Sequence, residues 1–290
     1  MSQYAYYPGC SITVNNRAYD TSTRAVCQSL GIDLVELKDW NCCGATAYMA
    51  VRELAAFVLS ARNLALTEQQ GQQEMLTVCN ACYMNLNKTN RYMAEEPKLR
   101  EQIGAALAAG GASYSGSVKV RHLLDVLVNE VGCEAIQARA TRKLEGLKVA
   151  CYYGCQLSRP YPTFDDAEQP STMDRLLEAV GATAVPYPMK AKCCGGMVMS
   201  TSEEVALKLV KGLLQCALDS GADIIATACP LCQVNLEGYQ GRVSARFGSK
   251  LNIPVVYFTQ LVGLALGLTR QQVDLGRELV SADRALAAYV

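Results

Sequence analysis

The stretch Thr77-Val78-Cys79-Asn80-Ala81-Cys82-Tyr83-Met84-Asn85-Leu86 recurs, without a gap, as Thr227-Ala228-Cys229-Pro230-Leu231-Cys232-Gln233-Val234-Asn235-Leu236. Thr, both cysteines, Asn and Leu keep their places at a constant offset of 150. Working outward, each copy is preceded by an adjacent cysteine pair and a glycine, Cys42-Cys43-Gly44 and Cys193-Cys194-Gly195. Before that stands a single cysteine in matching context, Tyr7-Pro8-Gly9-Cys10 and Tyr153-Gly154-Cys155. A five-cysteine figure is therefore written twice. A duplicated unit of this length implies two similar lobes, because a solenoid needs at least three shorter repeats.

Short β-rich runs alternate with helical ones around these figures. The first half offers strands at Tyr4–Tyr7, Asp33–Leu37, Met75–Val78 and Ser117–Val120, and the second at Lys148–Tyr153, Thr183–Tyr187, Asp223–Ala228 and Pro254–Phe258. Between them Glu53–Leu66 is apolar at Leu54, Phe57, Val58 and Ala61, and Glu203–Leu218 at Val205, Leu209, Leu213 and Ala217, a helical period. Strand and helix in alternation give an α/β fold, here two similar lobes, each a small, mainly parallel sheet flanked by helices. The expected domains are residues 1–141 and 147–290, joined by a linker at 142–146.

In such sheets the chemistry collects beyond the carboxyl ends of the strands. Cys10, the Cys42-Cys43 pair and Cys79 each follow a strand, as do Cys155, the Cys193-Cys194 pair and Cys229, so residues distant in sequence should meet at one edge of each sheet. Each C-x-x-C also opens a helical run. Free amides and the positive dipole end would then face anionic sulfur.

Composition bounds the function classes. The chain has 290 residues, half of them apolar, enough for two domains with real cores. Lys+Arg and Asp+Glu both number 27, so no long-range field favours nucleic acid or an anionic membrane. No basic-then-apolar leader follows Met1 and no run of eighteen uninterrupted apolar residues occurs, which sets the expectation of a cytoplasmic protein without a membrane segment. Fourteen cysteines in this helix-and-strand setting read as reduced thiols and metal ligands, since disulfide frameworks belong to small loop-rich domains.

Five matched thiols exceed the four ligands of a structural zinc site. They also exceed the four of a conventional cubane, and the ferredoxin run C-x2-C-x2-C-x3-C is absent. The candidate metal ligands are Cys10, Cys42, Cys43, Cys79 and Cys82 in the first lobe and Cys155, Cys193, Cys194, Cys229 and Cys232 in the second. Adjacent cysteines point in different directions and can reach different metal atoms of one enlarged assembly. Gly44, Gly195 and Gly196 let the backbone approach a cofactor closely.

At this point the chain resembles the B subunit of heterodisulfide reductase and its bacterial relatives, built from two cysteine-rich CCG domains. Both figures carry the resemblance, together with Val149-Ala150-Cys151-Tyr152-Tyr153-Gly154-Cys155 leading to Arg159-Pro160, Val120-Arg121-His122-Leu123, and Thr259-Gln260-Leu261-Val262-Gly263-Leu264-Ala265-Leu266-Gly267. The resemblance implies a non-cubane 4Fe–4S cluster in each lobe on five cysteines, at an interface where a disulfide is reduced or, in reverse, formed. It also implies two partners, a flavin and iron–sulfur A subunit and a ferredoxin-like C subunit. The chain departs from the methanogen pattern beside Cys155, where Tyr152 and Gln156 replace flanking histidines and carry no positive charge at neutral pH. Another disulfide, a persulfide or a protein-bound lipoyl sulfur is then an equal expectation. Two alternatives stand beside this reading: an electron-transfer or membrane-docking CCG subunit of a glycolate, lactate or succinate oxidoreductase, and a zinc-stabilised scaffold.

The remaining residues have plainer readings. Cys27 and Cys216 lie in apolar helical patterns as small hydrophobes, and Cys151, four positions before Cys155, is a weaker ligand candidate than Cys155. His122 is the only histidine, with Tyr257 as its counterpart, and reads as packing. Met49, Met197 and Met199 read as core more than as lining of a sulfur cavity. Pro160 to Pro170 forms a proline-rich loop, either a lid or docking surface or a connector. No Gly-rich nucleotide motif occurs, so any hydride donor belongs to a partner.

Overall fold

The computed structural model describes residues 2–45 and 47–290. In the first lobe β1 (Gln3–Tyr7), α1 (Cys10–Val14), α2 (Arg17–Leu30), β2 (Asp33–Glu36), α3 (Ala47–Val51), α4 (Glu53–Gln69), β3 (Glu74–Thr77), α5 (Asn80–Glu95), α6 (Pro97–Ala109) and β4 (Lys119–His122) follow one another. A helical segment closes this lobe, running from α7 (Leu123–Asp125) through a π-helical stretch (Val126–Gly132) to α8 (Cys133–Arg139). The second lobe repeats the plan with β5 (Lys148–Tyr152), α9 (Thr172–Ala179), β6 (Thr183–Ala184), α10 (Glu203–Asp219), β7 (Ile224–Thr227), α11 (Pro230–Gly238), α12 (Gln240–Phe247), β8 (Val255–Tyr257), α13 (Phe258–Ala265) and α14 (Asp283–Leu286).

Both sheets are parallel and have four strands, ordered β2-β1-β3-β4 and β6-β5-β7-β8. The two central strands of each, paired Ala5 with Met75 and Val149 with Ile224, flank the point where chain order reverses. That switch point leaves a crevice at the carboxyl ends of β1 and β3, and again at β5 and β7. Buried on both faces, central strands such as Ile224–Thr227 read as unbroken apolar runs, whereas edge strand β2 is mostly exposed. All eight expected strands form. Strand β6 stops at Ala184 rather than Tyr187, because Pro186 and Pro188 lack the N–H that a longer ladder requires.

The lobes exchange helices. The one after the fourth strand of each lobe packs on the other lobe: α13 lies on α2, and the α7–α8 segment lies on α9. Buried polar contacts pin this interface, with Ser22 Oγ and Thr259 Oγ1 2.7 Å apart and Asn80 Nδ2 donating to Tyr153 O at 2.6 Å. Apolar side chains of both lobes form one continuous core, from Tyr4 and Leu64 to Leu214 and Phe258. Separating the lobes would expose it, so they behave as a single cooperative body. No helix among the described residues is long and apolar enough to cross a membrane.

Candidate metal centre

The segments that follow the first three strands of each lobe contribute sulfur, while the fourth strands end in His122 and Tyr257. Cys10 begins α1 directly after β1, and Cys79 and Cys229 cap α5 and α11 directly after β3 and β7. The ten thiols form one succession of electrostatically interacting neighbours. In the first lobe it runs from Cys10 to Cys42, Cys43, Cys82 and Cys79, with Sγ–Sγ distances of 3.6 Å for Cys10–Cys42 and 3.4 Å for Cys43–Cys82. In the second it runs from Cys155 to Cys193, Cys194, Cys232 and Cys229. The two halves meet across the lobe interface, where Cys79 and Cys229 are close enough to shift one another's titration. Cys10 and Cys193 are exposed, while Cys79, Cys82, Cys229 and Cys232 are buried.

Each lobe already favours a thiolate. The Cys10 thiol, then Cys43 and the Gly44 amide, hold Cys42 far below the usual thiol range, and Cys155, Cys194 and the Gly195 amide do the same for Cys193. Arg159 adds its charge beside Cys193. Cys232 and Cys79, with help from the Cys232 and Leu231 amides at the α11 terminus, hold the Cys229 thiol well below the usual thiol range. Such stabilised anions are what metal binding requires, since the ligand is the deprotonated thiol.

The backbone around the thiols is held in the same way in both lobes. Tyr7 OH donates to Asn41 O and Tyr152 OH to Lys192 O, both at 2.8 Å, fixing the residue before each cysteine pair. Asn85 Nδ2 donates to Cys43 O, and Asn235 Nδ2 to Cys194 O, both at 2.5 Å. In the sequence these asparagines stand out only as part of the repeat, and their strict offset is the available signal. Gly44 and Gly195 share a φ of 77°, and a Cβ there would sit 3.0 Å from Ala56 Cα and 3.1 Å from Ala206 Cα. A Cβ at Gly9 or Gly154 would lie 3.1 Å from the Sγ of Cys82 or Cys232, and one at Gly196 3.4 Å from Cys194 Sγ and 2.9 Å from Leu231. At Gly9, Gly154 and Gly196 a backbone path that favours glycine therefore lies against the sulfur, whereas Gly44 and Gly195 seat the cysteine turns against helices α4 and α10.

Among the described residues no three Cys, His, Asp or Glu side chains converge on one point as ligands of a single ion would. Five thiols per lobe exceed the four ligands of a closed tetrahedral zinc site. The all-thiol donor set and the glycines against it thus fit iron–sulfur ligation.

Other candidates fall outside. Cys151 is fully buried against Asp174 and Lys190, away from the row. Cys27 is buried in the core and Cys216 half-buried beside it. His122 N-caps α7, its Nδ1 accepting Leu124 N at 3.1 Å, and burial lowers it to about 4. It pairs with Thr77 as Tyr257 pairs with Thr227, which makes the two positions equivalent. Met49 joins a small core around Phe57, Met199 packs on the main core, and Met197 stays exposed. The Pro160–Pro170 segment straps onto the other lobe: Thr163 bonds Tyr83, Phe164 packs on Tyr83 and stacks on His122, and Tyr161 lies under Arg91.

The solved structure of a hypothetical protein from Helicobacter pylori superposes on 97% of this chain with a TM-score of 0.79 at 14% identity, a likeness of fold, and this chain spans about half, 52%, of that one. In sequence, the 8-methylmenaquinol:fumarate reductase membrane anchor subunit of Wolinella succinogenes is 35% identical over 97% of this chain and 98% of its own. The B subunit of the ferredoxin/F420H2-dependent CoB-CoM heterodisulfide reductase of Methanosarcina acetivorans is 32% identical over 97% and 94%. A protein of Archaeoglobus profundus, named as like the heterodisulfide reductase B subunit, is 32% identical over 94% and 93%. The CCG cysteine-rich domain family matches residues 4–87 and again 149–237, the stretches that carry both thiol rows, and with these relatives it makes the chain a member of the two-CCG-domain family of heterodisulfide reductase B subunits.

Proposed function

We propose that Cys10, Cys42, Cys43, Cys79 and Cys82, and likewise Cys155, Cys193, Cys194, Cys229 and Cys232, each hold one iron–sulfur cluster, of the non-cubane 4Fe–4S type. Gly196, with Gly9 and Gly154, leaves room beside the sulfur, while Gly44 and Gly195 fit the turn of each cysteine pair against Ala56 and Ala206, and residues 1–141 and 147–290 are the two cluster-bearing domains. The chain is the component of a reductase complex that reduces, or in reverse forms, a disulfide or related sulfur group. One observation carries this reading: the two thiol rows meet at Cys79 and Cys229, so two redox centres would face one another across the lobe interface. When bound, the clusters would supply electrons and iron that accepts sulfur at two neighbouring points. The chain itself provides the thiolates, a cradle of glycine backbone and buried walls that exclude water around the inner four cysteines. Electrons come from partners, a flavin and iron–sulfur protein and a ferredoxin-like one, because this chain has no nucleotide motif. A cytoplasmic assembly fits this reading.

The Wolinella relative favours a second reading, a CCG protein that passes electrons between a membrane-side donor and a catalytic partner. Anaerobic EPR of the isolated protein with and without small thiols separates the two. A thiol-dependent signal supports sulfur chemistry at this chain; clusters indifferent to every thiol and disulfide, yet reducible by a quinol-linked donor, support electron carriage.

A further inference from the structure

At two crossings a C-x-x-C helix of one lobe lies against the lone-cysteine segment of the other, and the two crossings are built differently. At the first, Asn80 opens α5 between Cys79 and Cys82 and is 1% exposed. Its Nδ2 crosses the lobe interface to Tyr153 O, two residues before Cys155, at 2.6 Å. A Cβ at Gly154 would sit 3.5 Å from the same nitrogen. At the second crossing α1, which Cys10 begins, packs on α11 beside a cleft of about 300 Å3. There the repeat puts Pro230 in the place of Asn80 and Pro8 in the place of Tyr153, and Pro230 has no amide to give.

The carbonyl that Asn80 reaches is held from behind. Tyr153 N and Gly154 N donate to Lys190 O at 3.0 and 3.1 Å. Tyr153 OH accepts Met173 N at 2.7 Å and Asp174 N at 3.0 Å and donates to the Asp174 carboxylate, which also takes Lys190 Nζ at 2.6 Å. Pro8 has neither the N–H nor the hydroxyl for such a clamp. Asn80 Oδ1, meanwhile, is buried with no partner among the described residues. Desolvation of that oxygen offsets what the bond from Nδ2 contributes to stability, so the weight of the contact falls on where it holds the two segments.

We propose that Asn80 is a positioning residue: its one-sided bond fixes the Cys79–Cys82 segment of the first lobe against the Cys155 segment of the second, and so sets the spacing at which the two thiol rows act on one substrate. The inference rests on the disulfide reading, in which both sulfurs of a single S–S bond must be met at once. A misplacement of about 1 Å between groups that act together costs on the order of 100-fold in rate. The bond stands next to Cys79, on the side of the first row that faces the second lobe. Asn80 acts through the Tyr153 carbonyl, and the second crossing, which lacks the bond, leaves the whole adjustment to the first.

The test is Asn80→Pro in the cluster-loaded protein. It copies the second lobe, where Pro230 already opens α11 at the matching position, a place at which a helix tolerates proline. Asn80→Ala, which removes the side-chain amide and keeps the backbone N–H, is read in parallel. Iron and sulfide content should match wild type in both. With reduced viologen as donor, kcat for disulfide reduction should fall at least about tenfold while KM stays within about twofold. EPR of the fully reduced protein gives a readout apart from turnover: wild-type signals should be split by the neighbouring centre, and the splitting should change in both variants. Iron-loaded variants that lose only thermal stability, with wild-type kcat and splitting, overturn the positioning role, and so does loss of iron from both, which would make Asn80 a residue of cluster retention. Iron-free wild type, or iron-loaded wild type inert toward disulfides, overturns the functional reading instead.

Discussion

The two lobes hold their thiols alike but close around them differently. In the first, the cysteine pair sits in an asparagine net: Asn63 Nδ2 donates to Asn41 O, Asn41 N donates to Asn63 Oδ1, and Asn85 reaches both Cys43 O and Ser60 Oγ. In the second, Asn235 alone grips Cys194 O, and Cys193 lies exposed beside Arg159. The second lobe also sends the Pro160–Pro170 strap over the first, sealing His122, while the equivalent position at Tyr257 borders an open cleft. Duplication preserved the ligands; divergence went into what surrounds them. Each lobe keeps one outer thiol exposed, Cys10 in the first and Cys193 in the second, so the lobes differ in what backs the thiols.

The largest expected effect tests the likeness. Cys42→Ala and Cys193→Ala should each remove or convert the cluster of one lobe, cut the iron content by up to half, and abolish turnover, read by metal analysis and assay. If either variant keeps full iron and activity, its lobe is not a cluster site.

Aromatic packing tests the difference. Tyr19 stacks on Tyr257 with centroids 4.1 Å apart and is fully buried, so Tyr19→Ala should cost about 3–5 kcal/mol in chemical unfolding. Phe164 stacks on His122 at 6.4 Å from a partly exposed strap, and Phe164→Ala should cost roughly 1–2 kcal/mol. Equal losses would mean that the strap seals as firmly as the core.

His122 adds a pH dependence absent from its counterpart Tyr257. Burial lowers it to about 4 from the ordinary 6.5, so on acidification the unfolded chain takes up the proton first. Its stabilising contribution is complete above pH 6.5 and is lost as pH falls to about 4, by about 3 kcal/mol. His122→Gln, which retains an acceptor for Leu124 N, should flatten that part of the stability profile. Smaller still, Asn235→Ala should cost about 1–3 kcal/mol and Asn85→Ala more, because it also abandons Ser60. Cys27→Ala should leave iron content unchanged.

The fold was legible because its signals are local and repeated: alternating strand and helix patterns, and cysteines placed just past strand ends. The grouping of the thiols followed from the switch-point rule applied twice. The meeting of Cys79 with Cys229 was not legible, because it depends on helices exchanged between lobes, and no local pattern in α13 or α8 says which lobe will receive it. Nor was the role of Tyr7, Tyr152, Asn85 and Asn235, whose bonds go to backbone carbonyls tens of residues away. The Pro160–Pro170 loop showed itself as irregular, but its contacts with Tyr83 and His122 are tertiary.

Iron and acid-labile sulfide, determined together on anaerobically prepared wild type and Cys193→Ala, test the account most directly. It predicts both elements in wild type, near one cluster per lobe, with a drop toward half in the variant. Colourless, iron-free protein after reconstitution, or zinc in place of iron, would contradict it.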